Sequence, residues 1–558
     1  VSSNSADSPV LHDTSGEGSS RLAVDVRRFP WIRRLAADYA YDFDAVSPFF
    51  SGNPTDPAAW RDAIRRTQAH GRRRTEIADL LVAQQQRRGA PPPAIDAARK
   101  LADERTVAIL TGQQAGLFGG PMFTLLKALT ALKLAEQVAR EHAVPTVAIF
   151  WIDSEDHDWD EVRSCTVFDA ALDPRSVSLP ARPAGDHAPV ATVQLDHSID
   201  TVLAELERLL PATEFRDAIL ADLRSAYSAG TGMAEAFGRW MNRVLGPRGL
   251  VVYDASDPVS KPIVSRVFAS ELSKPGETAK LAAAAGANLV SRGYHSQVHA
   301  HDDGLALFHM EGGRRAIRMQ GGQLVVGDRS FAPADLAQAA LDQPSSFSPN
   351  VLLRPIVQDT LFPTICYVAG PNELAYLGQL RGVYDRFGVP MPLMYPRASA
   401  TLLDSAAMRF LAKYGLPLEA LQKQDESALN QLLESQIPPA VDASFTDAAQ
   451  AIEASMQSVI VALPALDPTL EGAARSTLGR MQHDLQTLHN KMIQAAKRRD
   501  ETLRRQYIRT RALAFPDGHA QERSIGFVSF LNQYGPALVD RLADELPLDM
   551  GHHWIVTV

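Results

Sequence analysis

The chain has 558 residues, more than one ordinary domain holds, and its 45% hydrophobic and 22% charged content is that of a folded globular protein. Acidic side chains (65) outnumber basic ones (56) for a net charge of -9, and no long basic run stands out in the central region, which argues against duplex nucleic acid as a general partner. The only cysteines, Cys165 and Cys366, exclude a disulfide framework and fit a reducing cytoplasm.

Residues 1–20 are rich in Ser, Gly and Asp, lack the apolar core of a signal peptide and are expected to form a disordered tail. No apolar run approaches the roughly 20 residues that span a bilayer, so no membrane role is expected. Helical patterns at 31–41 and 57–88 are broken by Pro91, Pro92 and Pro93. A helix over 94–103 then leads into the apolar run 107–110, whose length suits a buried parallel strand. A helix over 121–141 starts with Pro121 in its first turn and carries an apolar face of Leu125, Leu129, Leu132 and Leu134. Residues 146–152 are apolar almost throughout, the mark of a strand covered on both faces.

Prolines at 174, 180, 183 and 189 predict an irregular insertion near 162–200. After helices at 199–210 and 214–244, the run 249–254 reads as a third parallel strand that delivers Asp254 to the same edge. Alternating segments separated by Gly and Asp clusters over 297–331 predict antiparallel hairpins, within an insertion spanning about 285–335. The core resumes from 350 to 402. Residues Ala449, Ile452, Met456, Val459 and Leu463, and then Leu478, Met481, Leu485, Leu488, Met492 and Ala495, alternate spacings of three and four. That is the seam of a coiled coil, with Pro464 and Pro468 between its arms, in a helical region over 403–512. Residues 513–558 leave the heptads and are expected to fold back on the core.

Two stretches can carry chemistry. The turn TGQQAGLFGGP lacks G-x-G-x-x-G and the Walker Lys-Ser/Thr, so it supports neither a dinucleotide nor a P-loop. Gly112, Gly116, Gly119 and Gly120 still permit close backbone approach, and Gln113 and Gln114 offer donors and acceptors; the alternative is an ordinary strand-to-helix turn. The run DSEDHDWDE over 153–161 follows an apolar strand, where sheet ligands sit. In it His157 is the acid/base candidate, with Glu155, Asp156 or Asp158 as orienting carboxylates, against the alternative of an acidic surface turn. A metal site drawing on His295, His299, His301, His552 or His553 matches no strong zinc spacing, and none is expected. Asn350, Arg354, Gln358, Glu373, Tyr376 and Arg397 form a second polar group. Arg354 or Arg397 can hold an acidic substrate or equally pair with a core carboxylate, and Glu373 can cap a helix.

Taken together and in order, TGQQAGLFGGPMFTLLKALTALKLA, FWIDSEDHDWDEV, NVLLRPIVQDTLFPTICYVAGPNELAYLGQL, YPRAS and QERSIGFVSFLNQYGPALVDRL resemble the bacillithiol biosynthesis cysteine-adding enzyme family, from about residue 20 to the end. The resemblance implies a cytoplasmic ligase that joins cysteine to glucosaminyl-malate. It implies an α/β, Rossmann-like parallel-sheet core with connecting-peptide insertions and a C-terminal coiled coil that makes a homodimer. It further implies acyl activation with ATP or ADP and Mg²⁺, nucleotide or cysteine carboxylate at Gly112, Gly116, Gly119, Gly120, Gln113 and Gln114, amine proton acceptance by His157, and malate recognition by Arg354 or Arg397. The H-x-G-H and K-M-S-K-S turns of class I ligases do not occur. Two other readings are a metal-dependent amidase or deacetylase of a sugar conjugate and a non-catalytic dimeric scaffold.

Overall fold

The computed structural model describes residues 21–183, 188–298, 304–311, 313–435, 439–499 and 501–558; the expected tail at 1–20 and His299 and His301 lie outside these. Two compact units divide the chain. One contains Leu402–Ala520 with Thr557–Val558, and the other runs to Thr401 and includes Gln521–Val556.

The second of these units is built on a five-stranded sheet of β1 (Val107–Gln113), β2 (Thr146–Ile152), β3 (Val251–Asp254), β4 (Thr364–Ala369) and β5 (Leu393–Pro396). The order is β5-β4-β1-β2-β3 with every pairing parallel. All residues of β3 and β4, and all but one of β1 and β2, are buried, which explains why these runs carry no polar alternation. β1 and β2 are joined by a helix, α1 (Met122–His142), and pair in register from Val107 opposite Thr146 to Gln113 opposite Ile152.

α1 is buried on nearly every side, not only along its leucine face, because helices Gln521–Ser524, Phe527–Tyr534 and Ala537–Glu545 pack on it. The segment after 520 thus completes the core around α1. The last strand, His552–Thr557, lies in a three-stranded sheet beside Arg21–Asp25.

A hairpin of Ser164–Phe168 and Pro174–Ser178 fills the proline-rich stretch after β2. The later β insertion is a five-stranded antiparallel sheet whose last strand is Phe347–Pro349, so it runs beyond residue 335 and includes helix Pro333–Asp342. Its start is helical, within Glu277–Ser291, where alanine-rich sequence favours helix.

In the other unit, helices Pro439–Ala462 and Leu470–Arg499 pack as a hairpin. Ile460 rather than Val459 is buried, because a step of four from Met456 keeps the same helical face. Val459, Met481 and Leu488 are exposed. Among the described residues no helix is long and apolar enough to cross a membrane.

Candidate active site

In this sheet β1 is the strand where the order reverses, since the chain runs outward through β2 and β3 and then crosses to β4 and β5 on the other side. Backbone groups diverge there, and a crevice opens beyond the carboxyl ends of the strands. A cavity of about 700 Å³ occupies that place. Its walls come from the ends of four strands (Gly112 and Gln113, Asp153, Tyr367 and Gly370, Arg397), from α1 (Phe123, Lys127) and from Asn350, Arg354, Glu373, Tyr376 and Arg523.

The floor is a charged network. Lys127, from the buried helix, ion-pairs with Glu373 and donates to Gly112 O (2.8 Å) and Gln113 Oε1 (3.1 Å). Glu373 also accepts from Tyr367 Oη (3.0 Å) and the Gly370 amide (2.7 Å), the latter capping helix Pro371–Leu377. Burial pushes the Lys127 ammonium below its ordinary value, against the pull of Glu373. Burial opposes ionisation of Glu373 too, but Lys127 outweighs it and holds the carboxyl below its ordinary range.

Arg354 opens helix Arg354–Leu361 and donates to Gln358 Oε1 (3.1 Å) and Tyr376 Oη (3.0 Å), with its Nε 3.9 Å from Asp153 Oδ2. Asp153 is the first residue past β2, and its amide donates to Gln113 O (3.0 Å). Enclosure by the cavity walls raises its carboxyl above the ordinary value, with Arg354 pulling the other way. Asp156, on the same wall, accepts from Gln114 Nε2 (2.5 Å) and Arg314 Nη1 (3.4 Å). Arg314 and Phe308 come from the β insertion, which thereby contributes to the cavity.

Arg397 makes a bidentate pair with Glu522, at 2.6 and 3.0 Å. Burial opposes the Glu522 charge, and the Arg397 charge and hydrogen bonds prevail, keeping the carboxyl below its usual value. Ser399 Oγ donates to the same carboxylate, and His553 lies behind it, with Nδ1 2.7 Å from Ser399 Oγ and Nε2 2.8 Å from Thr401 Oγ1.

The sequence-derived candidates fall into two groups. Gly112, Gln113, Gln114, Asp156, Asn350, Arg354, Glu373, Tyr376 and Arg397 line the cavity. His157 and Asp158 are exposed and do not line it; Asp158 caps the short helix Trp159–Val162. Glu155 turns into the core, pairing with Lys261 and accepting from Ser348 Oγ (3.1 Å). Asp254 reaches the same edge of the sheet two strands from the crevice, where Ser256 Oγ (2.8 Å) binds it and Ser154 donates to it. Gly116, Gly119 and Gly120 lie outside the cavity lining. Gly119 has φ +94° and a Cβ there would stand 2.3 Å from the Phe527 ring, so its need is conformational and steric. His552 binds Asp549 (2.6 Å), and no group of three or more His, Cys, Asp or Glu gathers to hold a metal among the described residues.

Lys127, Arg314, Tyr367 and Arg523 line the cavity without having been singled out in the sequence, and Asp153 was marked there only as part of the run 153–161. Lys127 had a signal: one lysine inside the apolar run TLLKALTAL, at a position the helix buries.

A five-stranded parallel sheet of this order, with a charged cavity at its switch point, defines a Rossmann-like α/β enzyme core. Family models match both parts of the chain: residues 23–398 match the Bacillithiol biosynthesis BshC N-terminal Rossmann-like domain, and residues 400–558 the BshC C-terminal coiled-coil domain. The chain belongs to the BshC family of bacillithiol biosynthesis and is an enzyme of its ligase class. Three relatives named "Putative cysteine ligase BshC" are each 34% identical to it. The match to the Salinibacter ruber protein covers 94% of this chain and 96% of that one. The figures are 93% and 94% for Symbiobacterium thermophilum, and 85% and 87% for Chlorobaculum tepidum.

Proposed function

We propose that the cavity joins the carboxyl group of cysteine to the amino group of glucosaminyl-malate, forming the amide of bacillithiol in the cytoplasm. The observation that carries this reading is the pair of Arg354 and Asp153 at the switch point, 3.9 Å apart, in a chain of this family. Amide formation needs one group to hold an acidic substrate and another to take the proton that the attacking amine loses. Arg354, held by Gln358 and Tyr376, keeps its guanidinium directed into the cavity for a malate carboxylate. Asp153 accepts the amine proton; its raised pKa brings it nearer to neutral-pH work than an ordinary aspartate. His157, exposed and outside the lining, is the weaker choice for that step.

Arg397 is neutralised by Glu522, whereas Arg523, beside it on the lining, makes no ion pair among the described residues. That guanidinium, which feels Glu522, Glu161 and Glu373 without pairing directly with any of them, fits a phosphate group, with Gly112, Gln113 and Gln114 on the same lining and Asp156 and Glu161 as carboxylates for Mg²⁺. Bound ATP with Mg²⁺ would supply the leaving group that makes the cysteine carboxylate reactive.

The exposed residues Val459, Met481 and Leu488 of the helical hairpin offer an apolar stripe to a second copy of the chain, as a coiled-coil dimer requires. Incubation of the purified protein with cysteine and glucosaminyl-malate, with and without ATP and Mg²⁺, tests the reading by mass spectrometry of the product. Absence of the amide under every condition overturns it.

A further inference from the structure

A second cavity, of about 430 Å³, shares no lining residue with the first and opens where helices Arg74–Arg87, Arg216–Ala226 and Met233–Leu245 meet. Four arginines line it, Arg87, Arg88, Arg239 and Arg243, with Asp222 as the lining carboxylate; behind the lining Glu235 pairs with Arg87, Arg88 and Arg239, Asp254 with Arg88, and Asp257 with Arg87. Arg239 and Arg243 use only Nε, toward Glu235 (3.3 Å) and Asp222 (2.8 Å); their terminal nitrogens make no hydrogen bond among the described residues.

Two further features separate this place from a patch of surface charge. Arg88 has a fully buried side chain whose Nε donates to Glu235 (3.1 Å) and Nη1 to Val252 O (2.8 Å), while its Nη2 lies 3.8 Å from Asp254 Oδ2 and makes no hydrogen bond. Gly238, inside a helix, makes room for it: a Cβ there would come within 2.6 Å of Arg88 Nε. Asn242 is 1% exposed, lines the cavity, and has a partner for neither its amide nitrogen nor its amide oxygen. A buried amide left with both groups unmade is unfavourable, and folded proteins seldom keep one without something to satisfy it.

We propose that this cavity binds a small organic anion. Its phosphate or carboxylate is taken by the guanidinium groups, and a neutral donor–acceptor group on the same molecule is taken by Asn242. Arginine provides several donors in a fixed fork for either oxyanion, so the charge chemistry is common to both sources.

Isotopic labelling of asparagine side chains in the full-length protein tests this by NMR, since the chain has nine asparagines and the Asn242 amide is the one lost in Asn242→Asp. Where that variant does not fold, Asn242→Ser assigns the signal. Titration with inorganic phosphate, and separately with succinate, is expected to move the Asn242 amide with at least one of them, which identifies the oxyanion. The double variant Arg239→Gln/Arg243→Gln is expected to weaken that response by about tenfold or more, and Arg354→Gln in the first cavity to leave it unchanged. No movement with either probe overturns the proposal. So does movement of equal strength in the double variant, which would show a water-filled fault in packing or a site elsewhere.

Discussion

Lys127 and Glu373 form a buried ion pair that ties the second turn of α1 to the helix following β4, across the floor of the cavity. The two residues are far apart in sequence, and each also bonds backbone at a strand end: Lys127 to Gly112 O and Glu373 to the Gly370 amide. Removing one partner leaves the other buried without its ion pair. Lys127→Met is therefore expected to lower stability by about 3 to 5 kcal/mol. Lys127→Met/Glu373→Gln should recover part of the loss, because both charges are then gone. Denaturant unfolding of the two variants checks this, and equal stability of Lys127→Met and wild type contradicts it.

Burial, together with the Arg397 charge and against the pull of Glu522, holds the His553 ring down to about 4 from an ordinary 6.5. The folded state thus binds fewer protons than the unfolded chain between those values. Its stabilising contribution is complete above pH 6.5 and is lost as pH falls through 4, by about 3 kcal/mol in total. Ser399 donates to Glu522, so the neutral ring carries its hydrogen on Nδ1 and accepts from Thr401 at Nε2. Stability curves of wild type and His553→Gln should differ in slope between pH 6.5 and 4 and run parallel above it. Curves that stay parallel throughout would contradict the assignment.

Gly119 gives a prediction on packing alone. A methyl group there meets both a φ of +94° and the Phe527 ring at 2.3 Å. Gly119→Ala is expected to cost roughly 3 kcal/mol, from overpacking and backbone strain together. Gly472→Ala, at a helical position with nothing within 4 Å, serves as the control and should be neutral or stabilising. Thermal unfolding of both variants decides it.

The parallel sheet was legible because its strands are buried on both faces, and such strands write themselves as unbroken apolar runs such as residues 146–152. The edge that carries the cavity was legible for the same reason, since polar residues follow each run. Which side chain in a loop turns inward was not. His157 and Asp153 stand four positions apart in one acidic run, and only Asp153 enters the cavity. No periodicity constrains a loop as it does a helix or strand. Arg397 likewise reads as a substrate residue until its partner is seen, and Glu522 lies 125 positions later in the chain.

The two placements separate by mutation. Arg354→Gln is expected to raise the KM for the acidic substrate by about tenfold or more, since the proposed charge-assisted contact to its carboxylate is lost. His157→Ala should leave kcat and KM within about twofold of wild type. Steady-state kinetics of the two variants tests this, and a collapse of kcat in His157→Ala would return the acid/base role to the histidine.

The central claim is that ligation occurs in the cavity at the end of β1 and β2, with Asp153 accepting the proton of the attacking amine. The rate of amide formation from cysteine and glucosaminyl-malate by Asp153→Asn, against wild type at equal fold stability, tests it most directly. A loss of about 100-fold or more in kcat is expected. A wild-type rate in Asp153→Asn would contradict it.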